Sequence, residues 1–316
     1  MHRSPHRFGL QFVPIGAFGL AATVASIAAA FADAQSANKQ TIQSIRVVSA
    51  LTTVTDAQTR MVPNLTENDF EILVDGKPQP IISVRHDVQP ISVIVAIDRS
   101  ASMINVSPAV SSAVEQFLRQ LSPGDEARAV AFSDTIQITS HFTPARDLAT
   151  ALQDDLPFGN GTKLYDALLA SLDALKERKA RRAVVVITDG EDTASRVSRG
   201  TVIDRERMEN VIIYAIGLHT EYFNGREMVR NKPGRGLRNF AEESGGEYFE
   251  VEKTINLTPA LSRIAEELHA LYELTFASGP LDGQVHAVSV RAKQQSLAVH
   301  SRRSYKISKD ASSKPR

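Results

Sequence analysis

A carboxylate and two hydroxyl groups follow directly after a strongly apolar segment of the sequence. Residues 93–103 read VIVAIDRSASM, so that an apolar run leads into Asp98, Ser100 and Ser102. Oxygen side chains of this kind ligate hard divalent cations, and an aspartate in such a place is also able to act as a nucleophile. The same spacing is typical of turns and helix N-caps, because Asp and Ser bond to nearby backbone N–H groups. The motif alone leaves all of these functions open.

Two later segments carry further oxygen side chains at comparable positions. Thr162 lies in GNGTKLYD ahead of a predicted helix, and Asp189 lies in TDGED after a predicted strand. Ligands of doubly wound sheets bind where the parallel strands end, so we expect these side chains to converge with Asp98 on one edge. Hard oxygen donors without histidine or cysteine nearby suit Mg²⁺, with Mn²⁺ or Ca²⁺ as alternatives, rather than zinc or copper. The sequence therefore predicts a divalent metal site, with Mg²⁺ as the first choice.

The arrangement of these side chains resembles the metal-ion-dependent adhesion site of the von Willebrand factor A (integrin I-like) domain family. The matching positions in this chain are Asp98, Ser100, Ser102, Thr162 and Asp189. The resemblance covers about residues 90–270, and the preceding DGKPQ at 75–79 is similar to the secreted bacterial branch. It implies that the hydroxyl residues bind the metal directly or nearly so, that the aspartates act largely through water, and that an acidic residue of a partner protein completes the coordination. Arg99 and Ala101 depart from the commoner Thr and Gly of the family.

Neutral hydroxyl ligands leave a metal ion most of its positive charge. Such an ion attracts an anionic oxygen, and Mg²⁺ keeps water-filled positions that an Asp or Glu of a partner replaces. Binding of a protein partner, and not catalysis, is therefore the expected function. The residues predicted for the rim that meets the partner are Arg99, Lys163, Glu191, His219 and Arg226. The polar stretch 219–235 leaves the same edge and is expected either to shape partner choice or to form a mobile loop without a specific use.

A Mg²⁺-dependent phosphotransferase with Asp98 as nucleophile is the alternative interpretation of the site. Haloacid-dehalogenase-like phosphatases place such an aspartate at a strand end of a similar sheet, with a second aspartate two residues on for acid–base work. This chain has Ser100 at that second position. A third interpretation is a structural protein that has lost metal binding, and the presence of all five oxygen side chains argues against it.

Strands and helices alternate between residues 91 and 271. The continuous apolar strand 91–97, for example, precedes a helical stripe over 110–121. This alternation predicts an α/β fold with a doubly wound, mostly parallel, Rossmann-like sheet.

The sequence on either side of this region shows the short apolar runs of antiparallel strands. Asp75-Gly76 predicts a hairpin turn between the runs 70–74 and 81–84. A second β pattern follows from Tyr272. Because each segment is too small for a core of its own, we expect both to form one small all-β, sandwich-like domain into which the α/β domain is inserted.

The first residues predict export. Arg3 and Arg7 precede a chargeless apolar run from Phe8 to about Phe31, and small residues follow. This is the layout of a cleaved secretory signal, with an uncleaved membrane anchor as the alternative. We expect a secreted or periplasmic mature protein with no later membrane span. The predicted division is a signal peptide at 1–34, a first β part at 40–89, the α/β domain at 90–271, a second β part at 272–308 and a disordered tail at 309–316.

The charge balance and the cysteine content argue against several classes of binding partner and of metal or disulfide site. Lysine plus arginine and aspartate plus glutamate number 36 each, and this balance argues against nucleic acid as a partner. The basic run 176–182 is interpreted as a solvated helix end, where cations suit the helix dipole. The absence of cysteine excludes disulfides and thiolate zinc sites. The identity of the partner and the oligomeric state stay open.

Overall fold

The computed structural model describes residues 47–151, 157–223, 226–278 and 282–307. The predicted signal peptide and the predicted C-terminal tail lie outside these residues. From Val47 onward the chain clusters as one compact unit. In the described ranges no helix combines the length and the apolar character needed to cross a membrane.

Seventeen strands and six α-helices occur in the described part of the chain. The strands are β1 (Val47–Thr55), β2 (Phe70–Val74), β3 (Lys77–Gln79), β4 (Ile81–Arg85), β5 (Ile91–Asp98), β6 (Glu126–Phe132), β7 (Ile136–Ile138), β8 (Thr143–Pro144), β9 (Arg181–Thr188), β10 (Val211–Leu218), β11 (Thr220–Phe223), β12 (Met228–Asn231), β13 (Tyr248–Val251), β14 (Tyr272–Ala277), β15 (Val285–Ala292), β16 (Ala298–Ser301) and β17 (Ser304–Lys306). The helices are α1 (Ser107–Gln120), α2 (Ala145–Ala151), α3 (Leu164–Leu175), α4 (Arg199–Met208), α5 (Arg235–Ser244) and α6 (Leu257–Ala270).

The central sheet has the strand order β13-β10-β9-β5-β6-β7, with β8 paired to the start of β6. The strands from β13 to β6 run parallel, and β7 and β8 are antiparallel to β6. Strand β5 is apolar except for Ser92 and the terminal Asp98, because helices cover both of its faces. Val93 and Val95 pack in one core with α1 and α6, whereas Ile94 and Ala96 pack in a second core with α3 and α5. The predicted mostly parallel α/β fold is confirmed.

The strand order brings the ends of β5 and β9 together. The chain continues from β5 to β6 on one side, and it later returns to β9 on the other side. Ile97 pairs with Ile187, and Asp98 pairs with Phe132. The residues after these three strands therefore share one edge of the sheet, at the point where the strand order reverses.

The β segments before and after the α/β part pair with each other. They form two four-stranded sheets, with the orders β16-β1-β14-β4 and β17-β15-β2-β3, and their strand pairs are antiparallel. Apolar side chains from both sheets pack in one core, which includes Ala50, Ile72, Leu274 and Val290. Since β1 pairs with β14 and β2 with β15, each segment supplies strands that the other needs.

The hairpin at Asp75-Gly76 differs from the prediction in its second strand. Both turn residues have positive φ, 49° and 76°, as a type I′ hairpin turn requires. The strand that returns from the turn is β3, in which Lys77 pairs with Val74. The predicted partner, 81–84, lies in β4 and pairs with β14 in the other sheet. Pro80 separates the two strands, because it has no N–H to continue the ladder.

Smaller differences concern short elements. The apolar residues of 136–142 predict a strand from the sequence, and the observed strand β7 ends at Ile138. Strand β17 was not predicted, because three residues carry too little periodic signal. The spacing of Leu148, Leu152 and Leu156 predicts a short helix; it is observed up to Ala151, and the rest lies outside the described residues.

Candidate metal-binding site

Asp98 is the last residue of β5, at the carboxyl edge of the sheet, and it is 1% exposed. The Thr188 hydroxyl donates to Asp98 Oδ2 at 2.5 Å, and the Ser100 backbone N–H donates to Asp98 Oδ1 at 2.7 Å. Burial raises the pKa of Asp98 to about 6, although these hydrogen bonds act to lower it. A cation placed nearby would stabilise the charged form of such a desolvated carboxylate.

The two serines connect the end of β5 to the residue after β9. A short 3-10 turn at Ala101–Met103 follows Ser100. Ser100 Oγ lies 3.2 Å from Ser102 Oγ, and the Ser102 hydroxyl donates to Asp189 Oδ1 at 3.1 Å. Four of the five predicted positions therefore belong to one hydrogen-bonded group.

Asp189 follows β9 directly and is 1% exposed. Its Oδ2 accepts hydrogen bonds from the Thr220 hydroxyl and from Asn231 Nδ2, the latter at 3.3 Å. Thr220 and Asn231 stand opposite each other at the base of the β11–β12 hairpin. The hairpin thus holds the second carboxylate in place. Thr188, Thr220 and Asn231 were not predicted for the site, and their position at strand ends beside the predicted ligands was the sequence signal that could have found them.

Thr162 lies in a loop that runs alongside the loop of Asp98. Gly159 forms a parallel bridge with Ser100, and its N–H donates to the Arg99 carbonyl at 3.0 Å. Thr162 is 6% exposed, and its N–H donates to Thr193 Oγ1 at 2.9 Å. Among the described residues, the hydrogen bonds of Thr162 run to the segment after β9 and not to the other four predicted positions. The structure therefore brings Thr162 to this edge through its backbone and leaves its hydroxyl outside that group.

Asp134 holds the Thr162 loop and was not predicted either. Its Oδ2 accepts a hydrogen bond from the Asn160 N–H at 2.7 Å. A Cβ at Gly159 would lie 2.6 Å from Asp134 Oδ2, and a Cβ at Gly161 would also collide with the Asp134 carboxylate. The two glycines therefore allow the loop to approach Asp134 closely enough to be fixed by it.

Arg99 differs from its predicted position at the rim. It is 5% exposed, its guanidinium lies 4.1 Å from the centroid of the Phe158 ring, and Nη1 donates to Ser107 Oγ at 2.8 Å. Like its neighbours Asp98 and Ser100, Arg99 is buried. It is therefore not exposed at the rim, and its contact with a partner stays a prediction.

The other predicted rim residues lie closer to the surface. Glu191 and Arg226 are exposed, and Lys163 and His219 are partly buried. His219 Nε2 lies 2.8 Å from Glu250 Oε1, so this histidine has a hydrogen-bond partner on β13. Their contact with a partner stays a prediction.

The polar stretch 219–235 is partly a β-hairpin, whereas the sequence predicted a loop. Strands β11 and β12 pair over four residues each, and the ion pair between Glu221 and Arg230 joins them at 2.5 Å. Asn105 Nδ2 donates to the Glu221 carbonyl at 3.4 Å, which links the hairpin to the segment after Ser102. The hairpin is therefore attached to both sides of the site.

The donor set of the site fits a hard divalent cation. Asp98 and Asp189 supply carboxylate oxygens, and Ser100, Ser102 and Thr162 supply hydroxyl oxygens at the same edge. In the described ranges no group of three or more His, Cys, Asp or Glu side chains is placed to hold a metal. A cation here would consequently depend on the hydroxyls as well as on the two carboxylates. Oxygen-only donors match Mg²⁺, Mn²⁺ or Ca²⁺ and not zinc or copper.

Part of the α/β region matches a known protein family. Residues 93–191 match the family model described as von Willebrand factor type A domain. This segment is therefore similar to von Willebrand factor type A (VWA) domains. All five predicted metal positions lie inside the matched segment. VWA domains are commonly protein-interaction modules that bind protein partners.

One curated protein and two solved structures are similar to this chain at low sequence identity. An uncharacterized protein of Borreliella burgdorferi is 29% identical over 137 residues, which span 40% of this chain and 40% of that protein. Among solved structures, a von Willebrand factor type A protein from Catenulispora acidiphila aligns with a TM-score of 0.48 and 13% identity over 85% of this chain and 76% of its own. An aerotolerance-related membrane protein from Bacteroides fragilis aligns with a TM-score of 0.46 and 17% identity over 56% of this chain and 98% of its own.

Proposed function

We propose that this chain is an exported protein-binding module that uses a divalent cation, Mg²⁺ first, to capture an acidic residue of a partner protein. The observation that carries the proposal is the hydrogen-bonded group of Asp98, Ser100, Ser102 and Asp189 at the carboxyl edge of a VWA domain. Oxygen side chains that already contact one another need little rearrangement to share one cation.

The proposed roles of the five residues follow their chemistry. Ser100, Ser102 and Thr162 would bind the cation directly or nearly so, and Asp98 and Asp189 would act largely through water. With neutral direct ligands the cation keeps most of its charge, and it supplies a strong attraction for a carboxylate. The buried aspartates would balance the cation without occupying the positions that the partner needs.

A phosphotransferase with Asp98 as nucleophile is less compatible with the site. Asp98 is 1% exposed, and each of its carboxylate oxygens accepts a hydrogen bond. A nucleophilic carboxylate must instead present an oxygen to the substrate. A purely structural VWA domain would leave the group of oxygen side chains without a use.

We further propose that the two flanking sheets form a β-sandwich that carries the VWA domain as an insertion. The apolar core shared by both sheets supports this arrangement. The charged and apolar pattern of residues 3–31 supports export to the periplasm or to the outside of the cell. The mass of the exported chain tests whether the signal is cleaved near residue 34.

Calorimetric titration of Mg²⁺, Mn²⁺ and Ca²⁺ into the purified protein tests the metal site. We expect the wild-type chain to bind and Thr162→Val to lose affinity by about tenfold or more, because one oxygen ligand is removed, which corresponds to about 1.4 kcal/mol. Thr162 is bonded to its surroundings through its backbone, so Val should leave the fold intact. Ser296→Ala, an exposed hydroxyl in the turn between β15 and β16, is the matched control.

Two outcomes would contradict the metal proposal. The first is that none of the three cations binds to the wild-type chain. The second is that Thr162→Val and Ser296→Ala bind the cation equally well. Metal-dependent hydrolysis of p-nitrophenyl phosphate that is lost in Asp98→Asn would favour the phosphotransferase.

Capture of an acidic residue has a separate test. Immobilised peptides with a central Asp or Glu are compared with the same peptides carrying Asn or Gln. We expect the protein to be retained on the acidic peptides in Mg²⁺ and to be released by a chelator, because only a carboxylate replaces a metal-bound water with a charged ligand. Equal retention on the amide peptides would contradict this part of the proposal.

A further inference from the structure

A groove lined by cations opens at the edge of the central sheet opposite Asp98. Its volume is about 390 Å³, and it lies where β9 begins, between the turn after α3 and the strands β4 and β14. Since β9 spans eight residues from Arg181 to Thr188, the groove is about 23 Å from the candidate metal site. We call it the basic groove. Its cationic lining residues are Arg85, Lys176, Arg178, Lys179, Arg181 and Arg182.

Arg181 lies at the floor of the basic groove and is 5% exposed. Its Nη1 donates to the Leu268 carbonyl at 2.7 Å and its Nη2 to the Leu271 carbonyl at 3.1 Å. Its Nε is buried and has no hydrogen-bond partner among the described residues. Burial lowers the pKa of Arg181, although the nearby charge of Glu273 raises it. A buried guanidinium held mainly by neutral carbonyls is a fixed positive charge that an anion would stabilise.

Carboxylates balance only part of the charge around the basic groove. Three arginines have surface partners, in the pairs Arg85–Asp87 at 3.0 Å, Arg178–Glu126 at 3.2 Å and Arg182–Glu209 at 3.0 Å. Glu273 lines the groove itself. Together with the three ion-pair partners it makes four carboxylates for the six cations, so that two positive charges remain in excess.

The excess charge belongs to the two lysines. Lys176 and Lys179 are exposed, and among the described residues neither forms an ion pair. Glu177, in the same turn, is exposed and does not line the groove. The whole chain is neutral, with 36 cationic and 36 anionic residues, so this excess is local. A solvated helix end explains the run 176–182, but it does not explain why Arg85 from a distant strand lines the same groove.

We propose that the basic groove is a second binding site, for a compact anion that carries several phosphate groups. Arginine offers a planar fork that bonds phosphate oxygens in pairs, and lysine adds mobile point charges. Leu51 and Ala180 are the apolar members of the lining, so a peptide would find little room for the apolar anchors on which protein interfaces depend. The site is independent of the metal site and of the function proposed for it.

Tripolyphosphate is the probe for a soluble source of phosphate, and vesicles of phosphatidylcholine with cardiolipin, whose headgroup carries two phosphates, are the probe for a lipid headgroup. Both are titrated at low ionic strength into the wild-type chain and into the double variant Lys176→Glu/Lys179→Glu. We expect wild-type binding of at least one probe, weakened by added salt, and a loss of about tenfold or more in the variant, because two attractive charges become repulsive. Both lysines are exposed, so the variant should fold.

Lys77→Glu/Lys293→Glu carries the same charge change on exposed lysines of the flanking sheets and is the matched control. If tripolyphosphate binds to the wild-type chain and to this control, the result supports a site for a soluble phosphate ligand. If binding is confined to vesicles, the result supports a site for a lipid headgroup. The proposal is overturned if neither probe binds, or if both double variants lose the same affinity. It is also overturned if an oligoglutamate peptide binds as tightly as tripolyphosphate, since carboxylate would then be recognised equally.

Discussion

Arg99 shows that a residue next to a candidate binding site can be buried among internal contacts. It stands between Asp98 and Ser100, yet its guanidinium packs over Phe158 and donates to Ser107. These contacts join the end of β5 to the loop before Thr162 and to the first residue of α1. Arg99 thereby helps to hold the loops that carry the candidate ligands.

We predict that Arg99→Ala lowers the free energy of unfolding by about 2–3 kcal/mol, because a buried cation–π contact and a buried hydrogen bond are lost together. Urea denaturation measures this change. Arg196→Ala, at an exposed position, should change the free energy by no more than about 0.5 kcal/mol. Normal stability of Arg99→Ala combined with weaker binding of acidic peptides would restore Arg99 to the rim.

The end of α5 is a point where a helix contacts the flanking sheets through its backbone. Gly245 ends the helix with a φ of 92°, and its N–H donates to the Ala241 carbonyl at 3.1 Å. A Cβ at Gly245 would lie 2.6 Å from the Ser301 carbonyl carbon. The Arg303 N–H also donates to the Glu243 carbonyl at 3.0 Å. Glycine is therefore needed both for the left-handed cap and for the approach of β16.

We predict that Gly245→Ala destabilises the protein by about 2–4 kcal/mol, since a strained φ and a backbone collision add to each other. Gly124→Ala is the matched control, because no atom lies within 4 Å of its Cβ and its φ is not in the left-handed region. Thermal unfolding of the two variants under identical conditions provides the measurement. Equal melting temperatures of the two variants would contradict the prediction, because the end of α5 and β16 would then be able to move apart without loss of stability.

Buried acids lie where the α/β part meets the flanking sheets. Glu267 on α6 is 2% exposed, and a cavity of about 260 Å³ beside it is also lined by Glu247 and by Thr53 of β1. Burial and the neighbouring Glu247 raise the pKa of Glu267 to about 8, although its hydrogen bond with Arg263 at 2.8 Å opposes this. Burial likewise raises the pKa of Glu206, which lies near the buried Arg302. The junction is therefore most stable when these acids are neutral.

This predicts that stability falls as the pH rises. Glu267 has an unfolded pKa of 4.5 and a folded pKa of about 8, so the native state binds its proton more tightly. Its contribution is fully present below pH 4.5 and is lost as the pH rises to about 8, with a slope of up to about 1.4 kcal/mol per pH unit. Glu267→Gln keeps a neutral side chain and should remove this part of the slope.

Urea denaturation across the same pH range gives the slope for each variant. Glu266→Gln, an exposed neighbour on α6, should keep the wild-type slope. Because Glu206 also titrates in this direction, the quantity to compare is the difference between wild type and Glu267→Gln. A difference that does not depend on pH would contradict the prediction.

Local patterns in the sequence predicted most long elements. The apolar run of β5, the stripe of α1 and the glycine at the end of α5 each follow from neighbours a few residues apart. The same is true of the oxygen side chains at the ends of β5 and β9, whose convergence needs only a parallel sheet. Short strands were harder to predict from the sequence, because three residues such as those of β17 carry almost no hydrophobic periodicity.

The amino-acid pattern alone is enough for the class of fold, for the order of its long strands and helices, and for Asp98, Ser100, Ser102 and Asp189 as neighbours. It does not reveal that Arg99 is buried or that Thr220 donates a hydrogen bond to Asp189. It also does not reveal which strand pairs with β4 or which residues line the basic groove. The physical reason is that periodicity and turn chemistry act over a few residues. The placement of residues as distant in sequence as Arg85 and Arg181 in one groove depends instead on how complete sheets and helices pack against one another.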